Sequence, residues 1–300
     1  VHYFFLKAEM ALGPVIALLM QPTLHGSMTP ASYVKWLEMA GARVALLPYD
    51  ADDSQVDAVF KQVNGALWIG GEALVPPSAR RMYANAVAAY KVGDIFPIWG
   101  TCDGFEWMLQ IAAENDSVLT TGFDAEDLPL PLNLTAAASD SRLLSECSSM
   151  LVGARQYKKM TIRDALSTLP ITPNSHHMGV TPADFARFAP LVEAFSVLAT
   201  NVDRRGKPFV SLMEAKHGLP FWGSQFHPEK SIFEQGRRLP GGEPAQSFDH
   251  SPAAVAVSQY FANTFVDACR ESKHAFASAT DEWESLVYQY SPTTAYQPFI

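Results

Sequence analysis

Short apolar runs alternate with longer stretches of helical spacing through the first half of the chain. Residues 15–20, 43–47, 66–69 and 95–99 each carry a continuous apolar run of strand length, the pattern of a strand buried on both faces. Between them, residues 30–41 place apolar side chains at helical spacing, with Thr29 as the expected cap and Gly41 as the stop. Residues 78–92 form an Ala-rich helical pattern after Pro76-Pro77. Such alternation predicts an α/β fold: a flavodoxin-like, doubly wound, mostly parallel sheet with helices on both faces. In the second half, residues 195–200, 209–214 and 221–226 read either as a continuation of the parallel sheet or as a β-hairpin, and a long helix follows over Pro252–Arg270. The less regular stretch 124–186 is expected to carry loops around the ligand site. Residues 236–252, rich in Gly, Pro and polar side chains, read as a surface loop.

Composition narrows this picture only a little. With 300 residues and 48% hydrophobic content the chain can bury a large core, so one domain over 1–300 is the expectation. A net charge of −9 with no basic stripe argues against nucleic acid as a partner. No apolar stretch approaches the ~20 residues needed to span a bilayer, so no membrane association is expected. Residues 1–13 lack the basic-then-apolar pattern of a secretory leader. Either a targeting peptide has been removed or the sequence is a fragment. The three cysteines, Cys102, Cys147 and Cys269, are too few for a disulfide framework.

Chemistry enters at Gly100-Thr101-Cys102-Asp103-Gly104, which sits where an apolar strand must turn into a helix. This is the form of a nucleophile elbow with Cys in the place of Ser, and its glycines leave room for a strained, tight turn. At the N-terminus of the following helix the dipole is expected to expose Cys102 and favour its thiolate. A thiol nucleophile needs a base. Of the eight histidines, His227 in Phe226-His227-Pro228-Glu229-Lys230 is the best placed, because it follows a buried strand and Glu229 can reach back to orient its ring. Either residue alone would more often be structural, a buried Cys acting as a small hydrophobe and a His as a hydrogen-bonding group. The elbow and the strand-end His-Pro-Glu together make a Cys102–His227–Glu229 catalytic set the sharper reading. Glu106, one helical turn beyond Cys102, faces the same pocket or is a solvated first-turn carboxylate. Gly70-Gly71 is an ordinary tight turn or, with the Asp103 N–H, a source of oxyanion donors.

The two motifs together resemble the class I glutamine amidotransferase-like superfamily. Ala31-Ser32-Tyr33-Val34-Lys35, Leu128-Pro129-Leu130-Pro131-Leu132-Asn133 and Tyr288-Gln289-Tyr290-Ser291-Pro292 extend the likeness over nearly the whole chain. They point within it to the gamma-glutamyl hydrolase family. That resemblance implies a cysteine-type omega peptidase acting on folylpoly-gamma-glutamates through a gamma-glutamyl thioester, with no cofactor and no metal. It also implies a substrate-binding role for Glu106 at the glutamyl α-amino group and for His176 in the active site, with Gly71 and Asp103 at the oxyanion. A homodimer and a lysosomal, vacuolar or secreted glycoprotein are implied too, with Asn115 and Asn133 as N-x-[ST] acceptors. Met178 and Pro48 depart from residues frequent in the family, which bears on substrate recognition rather than on the Cys–His chemistry. Two other readings stay open: a glutaminase-like or small gamma-glutamyl-amide hydrolase, and a non-catalytic binding module of the same fold.

Overall fold

The apolar runs of the first half become the parallel core of an eight-stranded sheet in a computed structural model, which describes residues 12–235 and 248–292. In chain order the strands are β1 (Val15–Leu19), β2 (Arg43–Leu47), β3 (Gly65–Trp68), β4 (Ile98–Thr101), β5 (Asn133–Leu134), β6 (Phe195–Val202), β7 (Pro208–Ala215) and β8 (Phe221–Ser224). Across the sheet they run β2-β1-β3-β4-β8-β7-β6-β5. The first five in that order are parallel, and the last three add on antiparallel. The later strands therefore contribute a hairpin rather than a second parallel half. One of them, β8, is inserted beside β4 and completes the parallel set.

Alternation along β1 assigns the two faces. Ile16 and Leu18 pack in one core with Trp36 and Leu37 of α1 (Ala31–Met39), while Val15, Ala17 and Leu19 pack in the other. That second core holds α2 (Asp53–Phe60), α3 (Pro77–Tyr90) and α4 (Asp103–Ala113). The last long helix, α5 (Pro252–Arg270), returns to the first face, where Phe261 and Phe265 meet Trp99 at centroid distances of 5.7 and 6.0 Å. Helices thus cover both faces, the arrangement that leaves β1, β3 and β4 buried throughout.

Several local expectations shift. α1 is capped by the extended backbone of Pro30, and the Thr29 hydroxyl donates to the Pro30 carbonyl instead of capping. Gly41 does end it, in the left-handed region at φ +87°. β4 begins at Ile98 rather than at residue 95, since Pro97 has no N–H to give a ladder and offers only its carbonyl, to Ala66 N. The irregular stretch contains two short ribbons, Leu128–Leu130 with Thr172–Asn174 and Thr120–Thr121 with Met178–Gly179. The first of these delivers the Pro173 carbonyl to the His227 N–H at 2.9 Å. All three cysteines are free thiols. The expected surface loop 236–252 falls mostly outside the described residues.

Candidate active site

Cys102 stands at the turn from β4 into α4 with φ +52°, a conformation that side chains rarely adopt and that this turn enforces. The glycines on either side are required by space. A Cβ at Gly100 would lie 2.5 Å from the Gly104 carbonyl oxygen, and one at Gly104 would lie 2.3 Å from that of Trp68. The turn is tied down by the Cys102 N–H donating to Ser224 O at 2.8 Å, while the Cys102 carbonyl accepts from Glu106 N at 2.9 Å to open the helix.

The sulfur is not exposed as the motif suggested. Cys102 is 5% accessible, with Ser175 O 3.8 Å and Gln225 Nε2 4.0 Å from Sγ. Burial, then the Glu106 and Asp103 carboxyls, push the thiol well above its ordinary value, against the pull of the Asp103 N–H aimed at it. The resting group is therefore a thiol, and the expected dipole-stabilised thiolate is overridden by desolvation.

His227 and Glu229 do meet. The imidazole Nδ1–H donates to Glu229 Oε1 at 2.8 Å, with the Tyr33 hydroxyl 3.2 Å from the same nitrogen. A carboxylate can only accept, so this bond fixes the tautomer and leaves Nε2 as the working nitrogen. Gly70 lies between the ring and the nucleophile. Its missing Cβ would be 2.7 Å from His227 Cε1, 2.8 Å from Tyr33 Oη and 3.2 Å from Cys102 Cβ, so only a glycine lets these three side chains converge. They open on a cavity of about 390 Å³ beyond the C-terminal strand ends, walled also by Gln21, Gly71 and Lys230.

A buried carboxyl pair lies beneath that cavity. Asp103 accepts from Gln21 Nε2 at 2.9 Å and from Ala73 N at 3.0 Å, which ties the Gly70-Gly71 turn to the nucleophile helix. Burial still raises its carboxyl to about 7. Glu106 accepts from Gln225 Nε2 at 2.9 Å, and burial followed by the neighbouring Asp103 raises it to about 8.

The Peptidase C26 family model matches residues 17–114, the stretch that contains the elbow. Gamma-glutamyl hydrolase B of Dictyostelium discoideum is 35% identical over 299 residues, covering 95% of this chain and 80% of that protein. Gamma-glutamyl hydrolase of Homo sapiens is 34% identical, with 95% and 86% covered, and gamma-glutamyl hydrolase 1 of Arabidopsis thaliana is 31% identical, with 93% and 78% covered. The chain belongs to the gamma-glutamyl hydrolase family.

Two residues that the family resemblance placed at the site, Glu106 and His176, are both buried here. Glu106 is 3% accessible, and the Gln225 amide nitrogen that donates to it also lies 4.0 Å from the Cys102 sulfur. His176 is 4% accessible, and its neighbour Ser175 lines the cavity. Its Nδ1–H donates to Met178 O at 2.7 Å, and the ring packs edge-on to Phe209 at 4.7 Å and tilted against Phe123 at 5.7 Å. Burial lowers its pKa to about 4, so the ring is neutral and Nε2 is a bare acceptor without a partner. His177 points away, with its side chain 58% exposed.

Tyr33, Gln21 and Gln225 were not singled out from sequence. Tyr33 reads as one more apolar position on α1, and only the fold reveals that its hydroxyl accepts from Gly70 N at 2.9 Å. Gln21 carries a weak signal, a polar residue directly after a buried strand on the sheet edge where ligands bind. Gln225 carries the same weak signal, a polar residue directly after the buried strand β8.

Proposed function

We propose that this member of the gamma-glutamyl hydrolase family cleaves gamma-glutamyl amide bonds of folylpoly-gamma-glutamates, with Cys102, His227 and Glu229 as its catalytic set. The observation carrying this reading is the convergence of the Cys102 and His227 side chains on Gly70, with His227 Nδ1 held at 2.8 Å by Glu229. His227 Nε2 takes the Cys102 proton as sulfur attacks the γ-carbonyl, and the resulting oxyanion is met by the backbone N–H groups of Asp103 and Gly71. The imidazolium returns the proton to the leaving nitrogen, the C–N bond breaks, and a γ-glutamyl thioester remains. Water, deprotonated by His227, then attacks the thioester, releases the carboxylate and restores the thiol. No cofactor enters this sequence.

Glu229 stabilises the imidazolium that forms in each half of the reaction. An uncharged resting thiol suits this scheme, since the proton moves only when the carbonyl is in place. The reading extends to a lysosomal, vacuolar or secreted protein and to a homodimer. Exposed positions for Asn115 and Asn133, the latter on the edge strand β5, agree with glycosylation in such a compartment. Among the described residues no helix is long and apolar enough to cross a membrane.

The deciding experiment is chromatographic and mass analysis after incubation with a folate pentaglutamate. Shortened folates with wild type and none with Cys102→Ala are expected. Hydrolysis of free glutamine without any shortening of the folate chain would overturn the substrate assignment in favour of a glutaminase-like enzyme.

A further inference from the structure

Three residues beyond His227 the cavity wall carries a lysine. Lys230 is 4% accessible and belongs to the lining of the cavity. Its ammonium donates to Glu234 Oε2 at 2.9 Å, and the other oxygen of that carboxylate accepts from Ser32 Oγ at 2.6 Å. The ammonium also stands 5.3 Å from the centroid of the Phe248 ring. Enclosing an ammonium removes most of its hydration, which is unfavourable unless anions replace it. Apart from the histidine, Lys230 is the one basic side chain among the described lining residues, and it stands in a chain with 31 acidic against 22 basic side chains.

The placement of Lys230 relative to His227 says which part of a substrate it would meet. In the reaction proposed above, His227 hands a proton to the leaving nitrogen, so the wall that carries His227 is the wall beside the leaving group. Lys230 belongs to that wall, its backbone N–H donating to His227 O at 3.4 Å. When the leaving group is an amino acid, as in a gamma-linked glutamate chain, its α-carboxylate is two bonds from the scissile nitrogen. A carboxylate there falls next to the lysine.

We propose that Lys230 is the specificity residue that recognises the α-carboxylate of the leaving amino acid, so that gamma-glutamyl amino acids are preferred over gamma-glutamyl amides of simple amines. This rests on the functional reading above. Glu234 then has a second effect besides holding the ammonium in place: it competes with the substrate carboxylate for the same charge.

The alternative is a structural ion pair, and the two differ in what removal of each partner does. The test is steady-state kinetics on gamma-glutamylglutamate and on gamma-glutamyl-p-nitroanilide, whose leaving group has no carboxylate, with wild type, Lys230→Met, Lys230→Arg and Glu234→Gln. Loss of one charge-assisted hydrogen bond predicts that Lys230→Met lowers kcat/KM on the dipeptide roughly ten- to a hundredfold, mainly through KM. The loss on the dipeptide should exceed that on the anilide by about tenfold or more, and Lys230→Arg should recover part of it. Glu234→Gln should keep or raise the dipeptide preference. Equal losses on both substrates, or a Glu234→Gln variant that mirrors Lys230→Met, would overturn the assignment while leaving the hydrolase intact. A wild type inert on both substrates overturns the functional reading itself. If Met is not tolerated at this buried position, as judged by thermal melting, Lys230→Gln gives the same comparison with a polar, uncharged side chain.

Discussion

Glu106→Gln should speed the alkylation of Cys102 at alkaline pH and leave it nearly unchanged at acid pH. The carboxyl of Glu106 is raised to about 8, so below neutrality it is already uncharged and glutamine is a close mimic. Above that value it ionises and places a negative charge beside a sulfur that must itself become negative. Gln225 Nε2 lies 2.9 Å from Glu106 Oε1 and 4.0 Å from Sγ, which puts the charge within about 7 Å of the sulfur, where an effective dielectric of about 20 gives about 2 kcal/mol. That corresponds to roughly a thirtyfold difference in thiolate population. The assay is the second-order rate of iodoacetamide labelling from pH 5 to 10, read on the Cys102 peptide by mass spectrometry so that Cys147 and Cys269 do not contribute. Wild type and variant should converge below about pH 7 and separate by roughly thirtyfold near pH 9. Parallel profiles, or a variant slower than wild type throughout, would refute the claim that Glu106 acts on the sulfur through its charge.

Other expectations follow from the same geometry. His227→Asn removes the working nitrogen and should lower kcat by about two to four orders of magnitude, whereas His176→Asn, at a buried and neutral ring, should cost clearly less; equal losses would reverse the two assignments. Gly104→Ala drives a methyl to 2.3 Å from Trp68 O and should destabilise the fold by at least about 2 kcal/mol in denaturant titration, while Cys102→Ala, which removes only one sulfur bordering the cavity, should melt close to wild type. Asp103 and Glu106 are raised to about 7 and about 8, so from about pH 4 upward the folded state holds protons that the unfolded state has lost. Their contribution to stability is thus greatest below about pH 4, declines from there as pH rises, and is gone above about 8. Calorimetry should show a fall in Tm across that window that is shallower in Glu106→Gln.

What could be foreseen in the sequence divides along a physical line. The elbow was visible because a backbone at φ +52° demands flanking glycines, and the spacing of Gly100 and Gly104 around Cys102 is written in the chain. The strand-end His227 and its Glu229 partner are two residues apart, and so are equally local. The parallel sheet followed from apolar runs that need no knowledge of their neighbours. The burial of Cys102 was different, because Ser175 and Gln225, which close over it, come from segments that meet only in the folded chain. Tyr33 illustrates the same limit: its ring belongs to the pattern of α1, and its hydroxyl acts on a glycine turn at the end of β3.

The acids beside the nucleophile look at first like a poor choice, since each ionised carboxylate opposes a thiolate. Exposed acids in a first helical turn would complement the dipole and stay charged at every working pH. Here burial reverses that. Asp103 and Glu106 keep their protons up to about 7 and about 8, so in acid they add no negative charge, and burial is then the chief influence opposing the Asp103 N–H at the sulfur. As pH rises through neutrality the pair ionises, and the thiolate becomes harder to form just where bulk alkalinity would otherwise favour it. A carboxyl pair arranged in this way opposes the thiolate more strongly in alkali than in acid. This makes the alkaline limb of the pH–rate profile a property of the carboxyl pair, so removing one member should move that limb while the acid limb stays where it is.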